Sequence, residues 1–129
     1  MKAMETEFYL VKLDFRPEIA GAGSMTLQLA VNPKRGTLNG RAEGLMRLGI
    51  LQGSHFSANA SGNLYKTGLK SMTRVVGMEG RATVSVPPPE TGCYLTTFKA
   101  SFAIDDDWNG VGSFAAGANI YDCHVTRAG

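Results

Sequence analysis

The sequence is short of the residues that usually announce chemistry: two histidines, two cysteines and one tryptophan are spread over 129 positions. Neither Cys93 nor Cys123 lies in a CxxC pair or a Cys/His cluster, so no zinc knuckle or dithiol redox centre is encoded. Cys123 does precede His124, but adjacent residues on a strand point to opposite faces and make a poor two-ligand site. Both are expected as thiols in a reducing cytoplasm, although spacing alone does not decide whether they pair. No serine sits in a GxSxG elbow, and neither "GAGSM" nor "GTLNG" is a GxGxxG opening a helix.

Long apolar runs are missing too. The start, "MKAMETEFYLVKLDF", has no uninterrupted apolar core of a signal peptide, and no run approaches membrane-spanning length. A cytoplasmic chain without a membrane partner is the expectation. Charge of one sign is also lacking: 13 basic against 11 acidic residues leave +2. The basic residues are scattered, Lys34-Arg35 being the only adjacent pair, which speaks against a nucleic-acid partner.

What remains is the composition of a folded soluble protein, 43% apolar and 19% charged, of a length that suits a single domain over 1–129. A domain of this size buries roughly two-thirds of its unfolded surface, enough for one core. Sixteen glycines, together with Thr, Val, Phe and Tyr, point to strands and turns.

Period-two alternation runs through nearly every segment. In "EFYLVKLDF", Tyr9, Val11, Leu13 and Phe15 share a face. Phe8 and Leu10 fall on the other, with Lys12 and Asp14, so the start of this strand is expected to be covered on both sides. "SMTLQLAVN" sets Met25, Leu27, Leu29 and Val31 against Thr26, Gln28, Ala30 and Asn32. "NPKRG" reads as a hairpin turn with Gly36 at positive φ. Asn39-Gly40 is then too close for a second hairpin and is read as a bulge or bend. "GLMRLGILQG" admits a helical stripe, but its glycines favour a strand. "HFSANASGNLY", "RVVGMEGRATVSV", "CYLTTFKASFAI", "GVGSFAAG" and "NIYDCHVTR" supply the rest. "PPPE" ends one of them, because prolines cannot continue a ladder; a polyproline ligand is the less favoured alternative.

About eight sequential strands with no room for crossover helices predict an all-β antiparallel meander, closed or nearly closed into a barrel. A two-sheet sandwich is the alternative, since alternation does not reveal closure. Ala58, Ala60, Gly62, Gly80, Ala82 and Ala100 leave little volume on the inward face. They either let the wall pack closely or leave room for one small ligand, close packing being favoured.

"AIDDDWNG" is the densest polar stretch. A calcium loop needs oxygen ligands at alternating spacing, and three contiguous aspartates do not provide it. The stretch is read as a connection between strands, with Asp and Asn bonding to the backbone and Gly supplying positive φ. Trp108 is expected over a barrel end or at an interface. Neither His55 nor His124 stands in a recognisable catalytic spacing, so no catalytic, metal or cofactor site is expected.

The stretches "MTLQLAVNPKRGTLNG" and "FAIDDDWNGVGSF" resemble a bacterial family of small β-barrel-like proteins known only as a domain of unknown function. The resemblance rests on Thr26, Leu27, Leu29, Val31 and Asn32, on Leu38, Asn39 and Gly40, and on Asp106, Asp107 and Trp108. It implies a small bacterial barrel module and brings no activity and no catalytic residues.

The resulting functional expectation is a non-enzymatic binding or interaction module that self-associates as a dimer, with Phe8, Leu10 and Trp108 as interface candidates. The alternatives are a carrier of a small apolar ligand in the barrel mouth, and a hydrolase or isomerase using His55 or His124.

Overall fold

The alternating segments become eight strands. The computed structural model describes residues 8–17, 23–46, 54–86, 92–117 and 119–128. The strands are β1 (Tyr9–Pro17), β2 (Ser24–Asn32), β3 (Thr37–Met46), β4 (Ser54–Lys66), β5 (Arg74–Val86), β6 (Gly92–Ile104), β7 (Gly110–Ala116) and β8 (Asn119–Arg127). Each pairs antiparallel with the next, and β8 returns to β1, where Phe15 faces Val125. The sheet is a closed up-and-down barrel, and closure removes the edge strands a sandwich would leave exposed. Gly44–Met46 continue β3; the rest of "GLMRLGILQG", residues 47–53, lies outside the described residues, as do 18–22 and the "PPPE" segment.

The closing register is staggered. One row runs from Leu10 through Ala30, Asn39, Ser61, Glu79, Lys99 and Ala115 to Ile120. On the β8–β1 seam Cys123, three residues after Ile120, faces Pro17, seven residues after Leu10, so the register shifts by ten residues around the barrel. This shear exceeds the eight of an eight-stranded parallel barrel, so the strands tilt more steeply.

The "NPKRG" hairpin forms as the sequence predicts. Gly36 takes φ +67° and its N–H donates to the Asn32 carbonyl at 2.9 Å, while the Asn32 side chain accepts from the Arg35 N–H at 3.3 Å. Asn39-Gly40 stays in unbroken register with both neighbours, with no inserted residue, which corrects the reading of this pair as a bulge. Gly40 is there for closeness: a Cβ would stand 2.0 Å from the Gln28 carbonyl oxygen and 3.0 Å from the Leu29 side chain.

Inward faces make the core. Leu13, Phe15, Leu27, Leu29, Val31, Val76, Val84, Phe98, Ile104, Phe114 and Val125 are all essentially inaccessible. Six rings form a connected chain across the interior. Phe15 meets Phe102 edge-on at 5.2 Å and Phe114 at 6.3 Å, Phe114 meets Phe56 at 5.7 Å and Tyr121 at 5.2 Å, and Phe56 meets Phe98 at 6.0 Å. Edge-on and tilted arrangements suit the ring quadrupoles. The small residues of β3–β5 fit among these large ones. The Phe56 ring lies where a Gly44 side chain would be, and Ala42, Ala58 and Ala82 are buried. Gly62 and Gly80 lie against backbone of a paired strand, where an added Cβ would come within 1.8 Å and 1.9 Å of a carbonyl oxygen, so small residues there let neighbouring atoms approach closely.

Candidate functional site

The acidic stretch forms the β6–β7 turn at one barrel end. The Trp108 N–H donates to the Asp105 carbonyl at 3.1 Å, and the Asp105 N–H donates to the Asn109 carbonyl at 2.9 Å. The Asp105 carboxylate accepts from the N–H groups of Asp107 (2.8 Å) and Asn109 (3.0 Å). Asp106 accepts from the Thr73 hydroxyl at 2.8 Å, which ties the turn to the β4–β5 loop. Among the described residues, no three acidic, His or Cys groups converge as a metal would require.

One local expectation is corrected here. The positive φ belongs to Trp108 (+66°), not to a glycine. Gly110 instead enters β7, where a Cβ would lie 1.9 Å from the Ala103 carbonyl oxygen. Left-handed backbone costs a bulky residue on the order of 1–2 kcal/mol, and burial of the Trp108 ring offsets it. That ring is 3% exposed, edge-on to Tyr9 at 6.1 Å and capped by the Arg74 guanidinium 4.6 Å from its centroid. Arg74 also donates to the carbonyls of Asp105 and Asp106, each at 3.0 Å. Of the two places expected for Trp108, the structure puts it over the barrel end, sealed within its own chain.

The other chemistry-bearing residues stay apart. His55 is exposed on the outer wall facing Ser85, whose other neighbour is Cys93, so a whole strand separates His55 from that thiol. Cys123 is buried and His124 faces outward, on opposite sides of the wall as the strand period dictates. The two thiols form no disulfide. The Tyr121 hydroxyl is buried with no hydrogen-bond partner among the described residues, and burial, reinforced by nearby Tyr94, raises its pKa above the ordinary phenol value.

The outer wall carries apolar side chains in two patches. Phe8 and Leu10 stand 69% and 79% exposed, with Ala30 opposite Leu10 on β2. Sequence reasoning missed the second patch, in which Tyr65, Val75, Ala103 and Val111 are successive cross-strand partners from β4 to β7. Its signal was an apolar residue on the polar face of each strand; only the register assembles them.

Between Leu10 and β5 the outer wall is concave, a groove of about 970 Å³ lined by Gln28, Asn39, Arg41, Asn59, Ser61 and Glu79. Inside this groove the wall presents Gly40, Ala60 and Gly80, cross-strand partners with almost no side chain. A Cβ on Gly80 would lie 1.9 Å from the Asn59 carbonyl oxygen.

The profile of Domain of unknown function DUF1842 matches residues 6–119. The chain belongs to this family. No curated protein matches it. In this DUF1842 barrel, the stretches that carry the resemblance do structural work. Leu27, Leu29, Val31 and Leu38 are core, Asn32 caps the β2–β3 turn, Gly40 permits close approach, and Trp108 seals one end.

Proposed function

We propose that the domain is a non-enzymatic interaction module that self-associates through the outer face of β1. The observation that carries this reading is the pair Phe8 and Leu10, side by side on one face and mostly exposed in the single chain. Burying a Leu or Phe stabilises by roughly 1.5–3 kcal/mol. Two such residues from each of two copies then contribute on the order of 6–12 kcal/mol, comparable with the 4–15 kcal/mol that association costs. A two-fold arrangement, in which each copy brings the same pair, is the simplest way to reach that total. Mid-strand outward charges at Lys12, Arg41, Glu79, Arg81 and Lys99 favour a wall facing water rather than lipid. An exposed Cys93 thiol fits a reducing, cytoplasmic setting.

Native mass spectrometry of the full chain tests this. A dimer is expected, and Phe8→Glu or Leu10→Glu should convert it to monomer without altering the far-ultraviolet circular dichroism. A wild-type monomer, or a dimer indifferent to both substitutions, refutes it.

A carrier reading is supported by a different observation. Tyr94 lies on the inward-facing side of β6 yet is 50% exposed, at the barrel end where the Tyr121 hydroxyl is buried with no partner among the described residues. An apolar ligand with one acceptor atom would satisfy that hydroxyl. Organic extracts of freshly purified protein containing a stoichiometric small molecule, absent from Tyr121→Phe, would favour it; clean extracts would count against it.

A further inference from the structure

Basic residues that are scattered along the sequence are gathered by the fold at one corner of the barrel end. The β2–β3 turn carries Lys34 and Arg35, and the β4–β5 loop carries Lys66 and Lys70, all four exposed. The two connections touch, the Leu64 N–H donating to the Gly36 carbonyl at 2.8 Å. Neither stretch, 32–37 or 64–74, contains an acidic residue. None of the four cationic side chains has an ion pair or hydrogen bond among the described residues. The next turn, β6–β7, is acidic. Its Asp105 accepts from N–H groups of its own turn and its Asp106 from Thr73, so the barrel end is dipolar, with cations over β2–β5 and carboxylates over β6–β7.

The β4–β5 loop is braced so that it holds an apolar side chain out into solvent. The Thr67 N–H donates to the Thr73 carbonyl at 2.9 Å, the Thr67 hydroxyl donates to the Met72 carbonyl, and the Leu69 N–H donates to the Thr67 hydroxyl at 3.0 Å. Gly68 takes φ +80° at the apex, where an added Cβ would meet nothing within 4 Å. Leu69 beside it is 63% exposed, between Lys66 and Lys70, and the exposed Tyr65 ring stands on the wall just below. None of these groups belongs to the β1 face of the self-association reading.

Shape and charge together select the partner. A protein interface of standard size takes about 800 Å² from each side, which a convex loop apex does not offer. Single-stranded nucleic acid needs successive rings for its bases, and Tyr65 is the one exposed ring beside these cations among the described residues. An anionic bilayer asks for neither. A protruding aliphatic side chain can enter its interface while lysine stems lie along the acyl boundary and their ammonium groups meet the head groups. A tyrosine suits the head-group level. We therefore propose that the corner formed by the β2–β3 turn and the β4–β5 loop docks on an anionic lipid surface, with Leu69 inserted and Lys34, Arg35, Lys66 and Lys70 on the lipid head groups.

The test is co-flotation of the full chain with phosphatidylcholine vesicles, pure or containing roughly one-third phosphatidylserine. The protein should float with the anionic vesicles and not with the neutral ones, and added salt should release it. Each cation near such a surface is worth about fivefold in partitioning, so Lys66→Gln combined with Lys70→Gln should weaken it about 25-fold. Leu69→Ser should weaken it severalfold at unchanged charge, and Asp107→Asn should strengthen it. All four positions are exposed, so emission from the buried Trp108 should stay as in wild type. No flotation with anionic vesicles, equal flotation with neutral ones, or indifference to the double lysine variant overturns the proposal. So does binding that ignores Leu69→Ser and is competed by polyglutamate or a single-stranded oligonucleotide, which would assign the corner to an acidic macromolecule. The corner variants should leave the dimer mass unchanged, so failure here is distinguishable from failure of the self-association reading.

Discussion

At the scale of single residues, the glycines show how closely the wall is drawn in. A Cβ on Gly62 would lie 1.8 Å from the Gly77 carbonyl oxygen, while one on Gly77 itself meets nothing within 4 Å. The first obstacle is backbone of a paired strand, which cannot swing aside. Gly62→Ala should therefore destabilise by about 1–3 kcal/mol, a typical overpacking cost, whereas Gly77→Ala should be neutral or slightly stabilising. Thermal unfolding of both variants checks this, and equal melting temperatures would contradict it. The alternation already places Gly62 on the inward face and Gly77 on the outward one; how closely the neighbouring backbone approaches is set by the paired strand and is not legible in the sequence.

Tyr121 makes a second prediction at this scale. Its buried hydroxyl has no partner among the described residues, so Tyr121→Phe should leave stability at pH 7 unchanged or increase it. Its folded pKa is raised above the unfolded value of about 10. The neutral phenol is thus favoured in the fold; its contribution is complete below pH 10 and is lost as pH rises through the folded pKa. Melting temperatures measured from pH 8 to 11 should fall more steeply for wild type than for Tyr121→Phe. Parallel curves would mean that the hydroxyl is solvated in the native state.

At the scale of elements, the strands were readable because one face of each packs on the core. The Leu27–Leu29–Val31 periodicity survives intact in β2, and "NPKRG" turns as its residues dictate. "DDDWNG" was readable as a turn, since Asp105 bonds to the backbone of its own loop. Its backbone geometry was not, because the left-handed residue is the one whose side chain the barrel end can bury. Asp105→Ala removes two accepted hydrogen bonds and should cost about 1–2 kcal/mol at this half-exposed site. Calcium should leave the wild-type melting temperature unmoved. A calcium-dependent rise that vanishes in Asp106→Asn would show the turn to be a metal loop. Trp108→Ala, which empties the barrel end, should cost more, about 3–5 kcal/mol.

At the scale of the whole molecule, closure and surface are the features the sequence withheld. Alternation is the same in a sandwich and a barrel; only the meeting of β1 with β8, more than a hundred residues apart, decides between them. The apolar row Tyr65–Val75–Ala103–Val111 was hidden for the same reason, since its members belong to four strands. Phe8 and Leu10 were legible because they break the polar face of a single strand. The sequence suggested that something covers them, and in the single chain they face solvent. A partner for that face is the functional claim on which the rest depends.

Sedimentation velocity of the full chain across a concentration series tests it most directly. Wild type should sediment as a dimer that dissociates only on dilution, Leu10→Glu as a monomer throughout, and Val75→Glu like wild type. A wild-type protein that stays monomeric at every concentration would contradict the account.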